Sequence, residues 1–180
     1  VNYEPLAQDS VAALAKSKSL DPVEMALELM CQNDGHGLLL HPFENYHSGD
    51  LETVREMLLD DHTVCGVADA GAHVGLICDA SSPTYLLTHW ARDRTRGEQL
   101  PLEFLVRKQT MDTARTYGLN DRGIVAPGYK ADFNLIDMKS LNLLAPELVY
   151  DLPAGGRRFV QKATGYRHTF VSGIEVMRDG

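Results

Sequence analysis

The chain has 180 residues, 44% hydrophobic and 23% charged, with a formal net charge of -8. That is enough for one domain or a domain with an appendage, and the apolar fraction can fill a core. The acidic balance argues against nucleic acid or an anionic membrane as partner, and no apolar run approaches the roughly 20 residues of a spanning helix. Cys31, Cys65 and Cys78 form no CxxC pair and read as reduced thiols. Residues 1–20 lack the basic start and apolar middle of a secretory signal, so a cytoplasmic protein is expected.

In chain order, "DSVAALAKSK" (9–18) predicts a helix capped by Asp9 or Ser10. "SLDPVEMALELMCQNDG" (19–35) predicts a second, with Asp21 as N-cap, Pro22 at the first helical position and Gly35 as the stop. "GLLLH" (37–41) has the continuous apolar character of a strand buried on both faces. "DLETVREMLLDD" (50–61) carries Leu51, Val54, Met57 and Leu58 at helical spacing, and "TVCGVAD" (63–69) is a second buried strand candidate. Strand, helix and strand in this order read as a parallel unit. A short helix around Tyr85 to Trp90 follows, then helices over "PLEFLVRKQ" (101–109) and "MDTARTYG" (111–118). After Arg122 the pattern changes: a Pro127-Gly128 turn, alternation at Ala131, Phe133 and Leu135, and a hairpin signal at Ser172-Gly173. Between these β signals, residues 138–166 are broken by Pro146, Pro153 and Gly155-Gly156 and predict mostly loop with short strands.

One junction stands apart. In "GVADAGAHVG" (66–75) an apolar run ends in Asp69, followed at once by Ala70 and Gly71. A carboxylate flanked by small residues leaves room for a reactant to approach; the structural alternative is a helix N-cap. His73 is a candidate substrate contact, with a hydrogen-bonded loop histidine as the alternative. His41, at the end of "GLLLH", suits a supporting role. Arg92, Arg94 and Arg96 could hold a substrate carboxylate, although a solvated loop surface is the favoured reading. His36, His47, His62, His89 and His168 show no metal-ligand spacing.

The run "YGLNDRGIVAPGYKADFNLID" (117–137) resembles the C-terminal signature of the amidohydrolase superfamily, and more narrowly its D-aminoacylase (N-acyl-D-amino acid deacylase) branch. "MDTARTYGL" before it and "FVSGIEVMRDG" near the end fit the same resemblance. It implies an α/β plus β fold. Residues 1–125 would be the C-terminal segment of a TIM-like (β/α) barrel, with "GLLLH" and "TVCGVAD" as adjacent parallel strands. Residues 126–180 would be a small antiparallel β-sandwich portion. It also implies a metal-dependent hydrolase of C–N bonds in which Asp69 ends the last barrel strand, takes a proton from the attacking water and passes it to the leaving nitrogen. Zinc is the implied cofactor, with its ligands mostly outside this chain, because no His-x-His pair occurs here. Such a barrel needs about 250 residues, so the chain reads as the C-terminal part of a larger enzyme. The implied partners are the remaining N-terminal part of the barrel, a small-molecule amide substrate, and a second copy in a homo-oligomer. A cyclic-amide hydrolase with the same tail and a non-enzymatic α/β binding module are the alternatives.

Overall fold

The computed structural model describes residues 2–66, 68, 75 and 80–179. They divide into two units, residues 2–60 and 61–180.

The first unit is helical. A 3₁₀ turn (Ala7–Asp9) leads into α1 (Val11–Lys18), whose N-cap Ser10 accepts a hydrogen bond from the Ala13 amide. α2 (Pro22–Met30) begins as the sequence predicts: Asp21 accepts from the Val23 amide, and Pro22 fills a position whose N–H needs no partner. It ends earlier than predicted. In the following turn, α3 (Gln32–Gly35), Asn33 and Asp34 adopt left-handed φ of 53° and 57°, which short polar side chains tolerate best. α1 packs on α2, burying Ala15 and Met25. Glu4, also buried, accepts from the Leu51 amide at 2.8 Å. Tyr46 donates its hydroxyl to the Pro5 carbonyl. These two long-range bonds fasten the start of the chain to the residues before α4 (Glu52–Leu59).

"GLLLH" does not form the predicted strand. Residues 37–41 pair with no other segment among the described residues, and Leu38, Leu39 and Leu40 are exposed. A parallel strand draws its stability from neighbours at both edges and cover on both faces, and the first unit contains no other strand to supply them.

The second unit joins helices to antiparallel strands. α5 (Ser82–Tyr85) continues as a π-helical segment, Leu86–Asp93. α6 (Leu102–Arg107), a π-helical segment Lys108–Asp112 and α7 (Thr113–Thr116) make one continuous rod where the sequence predicts two helices. Among the described residues of this unit, Leu87, Trp90, Leu100, Leu105, Ala114, Leu141 and Leu143 are the buried apolar ones, and Trp90 is fully enclosed. The strands are β1 (Phe133–Ile136), β2 (Asn142–Leu143), β3 (Glu147–Leu152), β4 (Gly156–Val160), β5 (Ala163–Thr164), β6 (Tyr166–Val171) and β7 (Ile174–Arg178). They form three small antiparallel sheets, β1-β6-β7, β2-β5 and β3-β4. The Ser172-Gly173 turn appears as expected, both turn residues having positive φ, and β1 forms where the alternation at 133 and 135 points, but Phe133 and Leu135 are both exposed rather than lining a buried face. The β3-β4 hairpin exceeds the expectation for 138–166. Its breakers sit at the hairpin's ends, Pro146 just before β3, Pro153–Gly155 in the turn and Gly156 as the first residue of β4, rather than in the middle of a strand.

Among the described residues the strands are thus all antiparallel. No helix among them is long and apolar enough to cross a membrane.

Candidate functional site

Asp69 and His73 lie outside the described residues, as does Cys78. The chain leading to Asp69 is described as far as Gly66, and it passes beside the rod 102–116. Lys108 makes the junction. Its side chain is buried, with the residue 4% exposed. The ammonium donates to Thr63 Oγ1 at 3.0 Å and lies 5.8 Å from the centre of the Phe104 ring. Cys65 is close enough to respond: burial pushes its thiol pKa up, and the positive charge of Lys108 partly offsets this. A thiol so placed is a poor nucleophile at neutral pH.

The π-helical turn explains how Lys108 leaves the rod. The wider turn brings residues five apart onto one face, where an ordinary helix pairs residues three or four apart. Thr113 Oγ1 donates to the Lys108 carbonyl at 2.8 Å, and Arg107 Nε reaches Asp112 Oδ2 at 3.0 Å. Beside this junction is an open cleft of about 460 Å³, lined by Asp61, Thr63, Phe104, Lys108 and Arg115 among others. Motif reading selects none of these residues. The signal that could have found Lys108 is its position three residues after Leu105, which puts a charge on the rod's buried face.

Arg92 and Arg94 of the arginine cluster are neither a solvated surface nor a free clamp. Arg94 is 2% exposed, with its guanidinium 4.7 Å from the centre of the Trp90 ring and donating to the Glu98 carbonyl. Arg92 pairs with Asp93 and donates to the Met138 carbonyl at 2.6 Å. That guanidinium holds the Asp93 carboxyl below the usual carboxylate range. Thr84 and Tyr166 share a hydrogen bond at 2.7 Å. Together these contacts seat the helix 82–93 on the β-rich tail.

Three of the described histidines are engaged elsewhere. His41 is exposed and stacks on Phe43; His89 lies between Tyr85 and Trp90; His168 pairs with Glu175. Among the described residues no group of three His, Cys, Asp or Glu side chains is placed to hold a metal ion. The donor set present there does not fit a zinc site.

The segment 121–132 is a clasp. The Lys130 amide donates to the Asp121 carbonyl at 2.7 Å, Asp132 accepts from the Ser172 amide at 2.7 Å, and the Gly173 amide donates to the Ala131 carbonyl at 2.9 Å. Arg122 bridges Asp121 and, at 3.7 Å, Asp132. Gly123 has φ of +87°, and a Cβ there would lie 2.8 Å from Met111 Cα, so only glycine fits where this loop crosses the rod. The motif therefore ties rod, β1 and the β6-β7 turn together; its work is structural.

Comparison with known proteins matches the model described as "Amidohydrolase family" over residues 4–177. An adenine deaminase of Sinorhizobium fredii is 35% identical over 91 residues, 48% of this chain and 15% of that protein. A 5-methylthioadenosine/S-adenosylhomocysteine deaminase of Desulfitobacterium hafniense is 34% identical over 104 residues, 50% of this chain and 24% of that protein. An adenine deaminase of Lysinibacillus sphaericus is 56% identical over 32 residues, 18% of this chain and 6% of that protein. The chain spans no more than about a quarter of the length of these curated relatives. No solved structure matches it.

Proposed function

Because the chain belongs to the amidohydrolase family, we propose that it is part of a hydrolase of C–N bonds and that it contributes Asp69 as the proton-transferring group. The observation that carries this reading is the family match from residue 4 to 177, which runs through both units and includes Asp69. In the proposed step, water adds to the carbonyl carbon while the Asp69 carboxylate accepts its proton. The tetrahedral species then collapses, the C–N bond breaks, and Asp69 returns the proton to the departing nitrogen. The products are a carboxylic acid and an amine. General acid–base help of this kind is typically worth about 10²–10⁴-fold.

The fold proposed with it is the (β/α) barrel for residues 1–125 and a sandwich portion for 126–180. In that arrangement "GLLLH" becomes a strand only when the rest of the barrel pairs with it. The apolar stripe of α2, Val23, Leu27 and Met30, is 76%, 62% and 49% exposed and supports a partner surface there. Zinc remains the proposed cofactor, held by residues outside this chain.

For the substrate, the first reading is an N-acyl-D-amino acid, from the resemblance of roughly residues 60–180 to the D-aminoacylase branch. The adenine deaminase and 5-methylthioadenosine/S-adenosylhomocysteine deaminase relatives favour a second reading, release of ammonia from an amino-substituted purine. Both are tested in the full-length gene product carrying these residues, by following release of free D-amino acid from N-acetyl-D-amino acids and of ammonia from adenine. Turnover of the acetylated series supports the first reading and ammonia release the second. A purified, metal-loaded protein that hydrolyses neither these nor simple cyclic amides contradicts the proposal.

A further inference from the structure

We propose that, in the full-length protein, the apolar stripe of α2 is covered by an amphipathic helix of the same polypeptide whose flank is cationic. This rests on the reading of the chain as part of a larger hydrolase, and it names the chemistry of the part that meets the first unit. Residues 2–60 hide little apolar surface of their own: among the described residues of this unit only Ala15 and Met25 are buried apolar side chains. Val23, Leu27, Met30 and Phe43 are 76%, 62%, 49% and 69% exposed. A unit with so small a core and so large an apolar face needs cover to be stable. Val23, Leu27 and Met30 lie at i, i+4 and i+7, the spacing of a seam between two packed helices.

Charge decides what the cover carries. Residues 2–60 contain 11 Asp and Glu against 3 Lys and Arg, whereas residues 61–180 contain 14 of each kind. The whole net charge of -8 therefore sits in the first unit. Two of its three basic side chains, Lys18 and Arg55, pair with Glu28 and Glu52 at 3.1 and 2.8 Å, and three cations cannot balance eleven carboxylates. Glu24 and Glu28, both exposed, follow Val23 and Leu27 by one residue and line one flank of the stripe. Lysine and arginine suit such a seam, because their stems lie along apolar surface while their charges meet the carboxylates. A second copy of the chain suits it poorly: a symmetric contact through α2 would set the same glutamates against themselves.

The test uses purified full-length protein and compares the urea midpoints of wild type, Leu27→Gln, Leu27→Glu and Leu27→Lys at low and high salt and at several protein concentrations. Gln, Glu and Lys have similar helix propensities. In the second half of α2, both the helix dipole and the surplus of carboxylates favour lysine over glutamate. A cationic cover reverses that order. All three variants are expected to fall below wild type, because each puts a polar group into an apolar seam. Leu27→Lys should lie about 0.2–0.5 M below Leu27→Glu at low salt, and the difference should shrink at high salt. A midpoint for Leu27→Lys equal to or above that of Leu27→Glu would overturn the cationic cover. Wild-type midpoints in all three variants would overturn any cover, and midpoints that rise with protein concentration would overturn the proposal in favour of a second copy. If the Leu27 variants do not fold, the same comparison at Met30 decides, since the last turn favours lysine more strongly still. Hydrolysis by the wild-type protein is measured separately: its absence contradicts the hydrolase reading, whereas the order of the midpoints judges the cover.

Discussion

Arg94 shows how far a side chain's surroundings can depart from those its local sequence suggests. It lies among Arg92, Asp93, Arg96 and Glu98, a stretch as polar as any in the chain, yet it is buried beside Trp90. Its planar guanidinium can meet an aromatic face and still donate to a backbone carbonyl, which lysine at this position could not reproduce. The cluster on β6 and β7 behaves more simply. Glu175 pairs with Arg178 and His168, and these partners, Arg178 foremost, pull its carboxyl from 4.5 down to about 2. A carboxyl lowered on folding stabilises the native state above its unfolded pKa, and that contribution disappears as pH falls from about 4.5 through about 2. The gap in urea midpoint between wild type and Glu175→Gln should thus be open at pH 6 and narrow progressively below pH 4.5. A gap that stays constant down to pH 2.5 would show that the pair adds nothing to the fold.

At the scale of elements, capping was the most legible signal. Ser10 and Asp21 sit where a short polar side chain can meet the free amides of a first turn, and both do so. Replacing Asp21 by alanine should destabilise the first unit by about 1 kcal/mol, read as a lower urea midpoint with unchanged slope. No measurable shift would mean that α2 is held by its packing alone. Two other features could not be read. The π-helical turns at 86–93 and 108–112 leave the apolar spacing close to that of an ordinary helix, so the pattern predicted helices without their widened turns. The β3-β4 hairpin was hidden because Pro146 and Pro153 look like breakers, and only the paired structure shows that they flank a strand. "GLLLH" failed in the opposite sense. Its composition is that of a buried strand, but hydrophobicity supplies no neighbouring strand, and the described residues of the first unit offer none to pair with.

For the whole molecule, membership of the amidohydrolase family was legible from the 117–137 segment, and the clasp explains why that segment is recognisable. Its residues are fixed by close backbone approach and cross-strand bonds, which hold whatever the substrate. For the same reason it carries little information about specificity. The candidate site was legible only as a junction, a carboxylate after an apolar run; Asp69 and His73 lie outside the described residues. Lys108, which the structure buries against Thr63, had no motif to reveal it. Asparagine at position 69 keeps the size and hydrogen-bonding capacity of an N-cap but cannot accept a proton at neutral pH. The most direct test is steady-state hydrolysis by the full-length protein and its Asp69→Asn variant on the best substrate, with folding and metal content recorded for both. A fall in kcat of at least about 10²-fold is expected in a folded, metal-loaded variant. Turnover within about threefold of wild type would contradict it, since a residue that only caps a helix loses a little stability and no catalysis.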